Sequence, residues 1–227
     1  MENHLRAFNE IKNLDYPEKF YDLNKAMSLY PKSEMTDTIK SFILEAFSNP
    51  KNAYLSQSET VNLIEYAYHL YYFGPEEILY LKQVFLFQLN PSSSFSDSDK
   101  RIFVNLLGYM AVDFKLQQFL DVIQRLEVIA TAENDCEDFM MRYSAIEALG
   151  NIIKAYRGEK IWVEEMNQWL RNTYRYKQTN PVVRMKTITV LELTQSEQNR
   201  VFFETEVHKT QSPLVREEIQ RALLQYN

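Results

Sequence analysis

The chain has 227 residues, 45% hydrophobic and 25% charged, the make-up of a folded protein and not of a disordered one. A single Cys excludes a disulfide framework and a multi-thiolate metal site, and only 4 Gly disfavour sandwiches, barrels and glycine-rich phosphate loops. The net charge of −6 is uneven, with residues 1–138 at −9 and residues 139–227 at +3, which disfavours phosphate-backbone binding and favours a basic partner.

The opening Met1-Glu2-Asn3-His4 shows no basic stretch leading into an apolar run, so no secretory signal is expected. Apolar stretches such as Val84 to Phe87 fall far short of the roughly 20 residues that span a bilayer. A cytoplasmic protein that does not enter the membrane is the expectation.

In chain order, start and stop signals predict about twelve helices: 3–14, 17–30, 35–48, 58–73, 75–89, 98–111, 114–131, 137–157, 161–175, 181–194, 196–209 and 213–226. Pro17, Pro75, Pro181 and Pro213 suit a first helical turn, where the missing N–H costs nothing. Asn180 and Ser212 directly precede two of these prolines and suit N-caps. Pro31, Pro50 and Pro91 fall just past helix ends, and Gly158 follows a last turn that holds Lys154 and Arg157. Apolar residues recur at steps of three and four, as in Leu116, Phe119, Leu120, Ile123 and Leu126. Links are short, which makes sequence neighbours pack antiparallel as helical hairpins. The longest polar link, Asn90 to Ser94 and on to Ser98, reads as a surface loop, with a true domain boundary as the alternative.

Four of these helices share a pattern. Lys100, Arg142, Arg184 and Arg216 each precede small or apolar residues at +3, +6 and +7, and Gly108 and Gly150 both sit at +8 of their segments. The cations are separated by 42, 42 and 32 positions. Hairpins of about 40 residues are the unit of HEAT and armadillo arrays. The words Phe139 to Ile152, Asn180 to Leu193 and Ser212 to Leu224 resemble that HEAT-like family, over roughly 98–227. The resemblance implies a right-handed α-solenoid of antiparallel hairpins, with 96–227 as HEAT-like repeats and 1–95 as atypical or capping repeats of one domain. A helical bundle followed by three repeats is the alternative. The resemblance also implies that each repeat Arg pairs with an acid in an adjacent turn. Asp138 would serve Arg142, and no comparable acid precedes Arg184 or Arg216.

Chemistry-bearing patterns are sparse. Glu65 with His69 and Glu204 with His208 stand at i, i+4 but lack further ligands, so they read as solvated pairs and no metal or cofactor is expected. Cys136 lies among acids, which raise a thiol's pKa and blunt its reactivity. No catalytic residues are expected, and the chain reads as a non-enzyme. Two surface features remain. Asp97, Asp99, Glu133, Asp135, Glu137 and Asp138 fall in equivalent links and would form an acidic ridge, or else serve as N-caps. Tyr66, Tyr68, Tyr71, Tyr72, Phe73 and Tyr80 are too many for one buried face. Of these, Tyr68, Tyr71 and Tyr72 are taken with the six acids as partner-binding candidates. A basic-aromatic cluster at Arg171, Tyr174, Arg175, Tyr176 and Lys177 is the one feature that suits nucleic acid, a partner the acidic total disfavours.

The expected function is a non-enzymatic protein-binding scaffold. Its most specific form is a bacterial immunity protein that neutralises a basic, often nuclease, toxin domain, since some immunity proteins are similar α-solenoids. The alternatives are a general adaptor or regulatory protein, or a HEAT-like glycosylase or lyase.

Overall fold

The computed structural model describes residues 56–69, 73–114, 116–131, 139–176 and 179–226, together with 40, 41, 44, 45 and 47. Among these residues the chain is helical, with turns and short links between the helices and no strand. Nine α-helices are described: α1 (Gln57–His69), α2 (Pro75–Gln88), α3 (Asp97–Asp113), α4 (Leu120–Thr131), α5 (Phe139–Ala155), α6 (Lys160–Arg175), α7 (Pro181–Glu192), α8 (Glu197–Lys209) and α9 (Pro213–Leu223). The expected helices at 3–14 and 17–30, and most of 35–48, lie outside the described residues.

Helix starts follow local chemistry. Pro75, Pro181 and Pro213 each open a helix at its first position. Asn180 Oδ1 accepts from the Val182 N–H at 2.8 Å, Ser196 Oγ from Asn199 at 3.2 Å, and Ser212 Oγ from Val215 at 3.4 Å. Ser56 and Glu59 form a reciprocal capping box, Glu59 N–H donating to Ser56 Oγ and Ser56 N–H to Glu59 Oε2. The helix expected over 114–131 is interrupted. A 3₁₀ turn (Leu116–Phe119) precedes α4, and it brings Phe119 into the core with its ring 5.9 Å from that of Phe114. The Tyr156 hydroxyl lies 2.5 Å from Phe114 O and 3.1 Å from Ala111 O, and so serves the carbonyl end of α3.

The chain divides into two compact units, Met1–Ile102 and Phe103–Asn227. In the first, Val61, Leu63, Ile64, Leu81 and Phe85 are buried. Phe47 packs its ring 5.9 Å from Phe85 and 5.7 Å from Phe95. Phe95 is buried at the end of the Ser-rich link, and Ser93 Oγ donates to Gln88 Oε1 at 2.7 Å.

In the second unit α7 packs against both α5 and α9, while α4 packs on α5, α6 on α7 and α8 on α9. The close approaches recur in register. A Cβ on Gly108 would stand 2.7 Å from Ala148 Cβ, and one on Gly150 would stand 2.8 Å from Val190 Cγ2. Both members of the second pair lie 42 positions after those of the first. The bare glycine backbone is what allows the facing helix to come so near. Side chains then tie neighbouring helices across their partly exposed faces. Lys186 Nζ reaches Glu147 at 2.6 Å, Thr189 Oγ1 donates to Glu218 at 3.0 Å, and Arg221 pairs with Glu192 at 2.6 Å.

The three arginines of the recurring pattern reach backbone carbonyls. Arg142 Nε donates to Ala130 O at 2.9 Å, Arg184 Nη2 to Tyr176 O at 3.2 Å, and Arg216 Nη2 to Thr210 O at 2.8 Å. Each guanidinium therefore meets a carbonyl at the C-terminal end of the preceding helix. Those carbonyls lack intrahelical partners and carry the negative end of the helix dipole, so a cation there satisfies both. Arg142, nearly fully buried, also donates to Thr179 Oγ1 at 3.2 Å, and Thr179 in turn donates to Thr173 O at 3.1 Å, which links one hairpin to the next. Asp138 lies outside the described residues.

Candidate functional site

Of the acids and tyrosines taken as partner-binding candidates, Asp97, Asp99 and Tyr68 lie among the described residues. Asp97 is exposed in the first turn of α3. Asp99 is only 3% exposed, and its Oδ2 accepts from Ser96 Oγ at 2.6 Å, Ser96 N–H at 3.2 Å and Ser58 Oγ at 3.1 Å. Its carboxylate caps α3 and ties it to α1, which takes it away from any partner surface. Glu133, Asp135, Glu137 and Asp138 lie outside the described residues, as do Tyr71 and Tyr72. Tyr68 is buried against His69, its ring 5.6 Å from the imidazole. Of the aromatic group, Phe73 is also buried, whereas Tyr80 on α2 is 45% exposed.

The basic-aromatic cluster also dissolves. Arg171 and Tyr174 are buried, Arg171 donating to Asn199 Oδ1 at 2.5 Å and Tyr174 meeting Phe202 edge-on at 5.2 Å. Burial pushes the Tyr174 hydroxyl pKa upward. Arg175 is held by Glu206 at 3.0 Å and stacks over Phe202 at 5.0 Å. Lys177 lies outside the described residues.

What the first unit does present is an open cleft of about 420 Å³ lined by Leu44, Glu45, Glu76, Glu77 and Tyr80. Pro75 starts α2 and places Glu76 and Glu77 in its first turn, where the helix dipole favours anions. Glu77 is engaged from both sides, Oε1 meeting Lys40 Nζ at 2.7 Å and Oε2 accepting the Gly74 N–H at 2.9 Å. The Lys40 hydrogen bond holds its carboxyl below the ordinary value. Glu45 and Glu76 are exposed and have no ion-pair partner among the described residues. Two uncompensated carboxylates beside an exposed tyrosine ring make an acceptor for a cation on an aliphatic stem. A cation on an aliphatic stem would meet Leu44 and two carboxylates there. Tyr80 was legible in the sequence as part of an aromatic surplus, and Glu76 as a helix-start acid. Their meeting with Glu45 arises only in the folded chain.

Among the described residues no three His, Cys, Asp or Glu converge as a metal centre, and no helix is long and apolar enough to cross a membrane. Comparison with protein families, with curated proteins and with solved structures returned no match.

Proposed function

We propose that this protein is a non-enzymatic docking scaffold of HEAT-like α-hairpins, and that it takes a partner with a Lys/Arg-rich surface. The observation that carries the reading is the acidic cleft, with Glu45 and Glu76 uncompensated beside the exposed Tyr80. The recurring Gly108–Ala148 and Gly150–Val190 approaches and the three carbonyl-capping arginines support a solenoid in the second unit. A pre-formed array of this kind binds without much ordering cost. The acidic total favours a basic partner through steering as well as contact. The most specific form of the reading is a bacterial immunity protein that caps a basic toxin domain. In that case the neighbouring reading frame encodes the toxin, and the two products form a tight 1:1 complex.

The test is fluorescence anisotropy of the full chain with a labelled arginine-rich peptide and a glutamate-rich control. The arginine-rich peptide binds, the control does not, and Glu45→Lys with Glu76→Lys weakens binding at least tenfold, about 1.4 kcal/mol. Affinity unchanged by the double reversal, with native helicity retained, removes the cleft as the docking point.

A further inference from the structure

The second unit holds a deeper cleft of about 660 Å³ that the docking function does not use. It opens where the turn before α6 meets the link between α7 and α8. Arg157, Lys160, Glu164, Asn167, Thr194 and Ser196 are among the residues that line it.

One side of this cleft attracts anions. Arg157 and Lys160 are exposed and have no carboxylate partner among the described residues. The first turns of two helices, α6 and α8, form part of the lining, so their positive dipole ends are close by. The N-cap of α6, Glu159, makes no side-chain capping bond. The inner side instead presents acceptors. Asn167 is 1% exposed, and its Nδ2 donates to Thr194 Oγ1 at 3.1 Å, while its Oδ1 has no donor. A buried amide oxygen without a partner costs on the order of 1–3 kcal/mol, a cost that a ligand donor removes. Thr194 cannot supply that donor. Its hydroxyl proton goes to Leu191 O at 3.0 Å, and its oxygen already accepts from Asn199 Nδ2 at 2.9 Å. Glu164 is a second acceptor, anchored by Arg171 Nη2 at 2.5 Å. Arg171 in turn holds Asn199, so the acceptor side is rigidly braced from within the core. Gln195, on the wall, has φ 46°, a left-handed backbone in a residue other than glycine, which is the kind of local strain that rigid surroundings maintain at binding sites.

We propose that this cleft binds a small zwitterion of the amino-acid type, its carboxylate held by Arg157, Lys160 and the two helix starts, and its amine donating to Asn167 and Glu164. The volume suits such a ligand with room for its side chain. A ligand with both an anionic group and a donor accounts for the basic residues and for the Asn167 Oδ1, which a simple anion would leave unmet.

The test is calorimetry and thermal melting of the full chain with the common free amino acids. Acetate, methylamine and inorganic phosphate serve as single-function probes. At least one amino acid binds 1:1 and saturably and raises Tm, and acetate and methylamine bind at least about tenfold more weakly. Arg157→Glu with Lys160→Glu, both at exposed positions, weakens that binding at least about tenfold and leaves the Tm of the free protein within a degree or so. Three results overturn the proposal: no amino acid bound at about 10 mM, phosphate or acetate bound as tightly as the amino acid, or binding that survives the double reversal.

Discussion

Gly150→Ala tests the recurring close approach, because it adds one methyl at a helix contact that leaves no room for it. The new Cβ would stand 2.8 Å from Val190 Cγ2 and 3.3 Å from Cγ1. Val190 is β-branched in a helix and holds one χ1 rotamer, so it yields poorly. Overpacking of this kind costs about 1–3 kcal/mol, against which alanine's better helix propensity returns about 1 kcal/mol. The single variant is therefore expected to lose about 1 kcal/mol. Val190→Ala removes two buried methyl groups and loses about 2 kcal/mol, including the cavity it leaves. In the double variant the new methyl fills part of that cavity, so the total loss is about 1–1.5 kcal/mol and the coupling about 1.5–2 kcal/mol. Both tryptophans, Trp162 and Trp169, belong to the second unit, so urea titration followed by their emission reports on it. The equivalent Gly108→Ala is costlier, because its Cβ meets Ala148 Cβ at 2.7 Å and the backbone Cα at 3.1 Å, and neither moves by rotation. Losses that add to within about 0.5 kcal/mol in the Gly150/Val190 cycle would refute this packing.

Three further outcomes follow from the hydrogen-bond geometry and the titrating groups. Arg142→Met strands Ala130 O and Thr179 in a buried position and lowers stability by about 2–4 kcal/mol, whereas Arg216→Met at an exposed position costs about 1 kcal/mol; equal losses in urea titrations would contradict the assignment. Asp99→Ala removes the acceptor of three hydrogen bonds and costs about 1–2 kcal/mol by far-UV circular dichroism melts, while Asp97→Ala stays within about 0.5 kcal/mol. Burial raises the Glu127 carboxyl pKa, so its contribution to stability is present below the ordinary carboxylate range and is lost as pH rises through the raised value. Glu127→Gln accordingly raises Tm at pH 7 and confers no advantage at pH 4, and a Tm gain that is the same at both pH values would contradict that sign.

Much of the helical layout was legible because its signals are local. The expected helix at 161–175 is found at Lys160–Arg175, and those at 75–89 and 196–209 are met by Pro75–Gln88 and Glu197–Lys209. Proline at the first helical position and a hydroxyl or amide before it are contacts within four residues, so the sequence carries them directly. The 3₁₀ turn at Leu116–Phe119 escaped notice because its apolar spacing also suits an α-helix, and what separates the two is the burial of Phe119 and the Tyr156 hydroxyl some 40 positions away. The repeat arginines were visible as a register, but their acceptors were not. A carbonyl freed at a helix end has no sequence signature of its own. Both clefts are assembled from separate segments, Leu44 and Glu45 with Glu76 to Tyr80, and Arg157 to Asn167 with Leu193 to Gln198. Neither set forms a motif along the chain. The Asp99 capping box shows the reverse case, where one acid satisfied both a surface pattern and a helix-start pattern and burial decided between them.

The stacking of hairpins in the second unit is tested most directly by spin labels at the equivalent positions Met140, Val182 and Leu214, each two residues before a repeat arginine. In a variant carrying Cys136→Ser, cysteines are placed at these positions in pairs. Adjacent helices pack about 8–10 Å apart, so a row predicts strong dipolar broadening for 140 with 182 and for 182 with 214, and about 20 Å for 140 with 214. An outer pair as close as its two neighbours would mean a closed bundle and would contradict the solenoid.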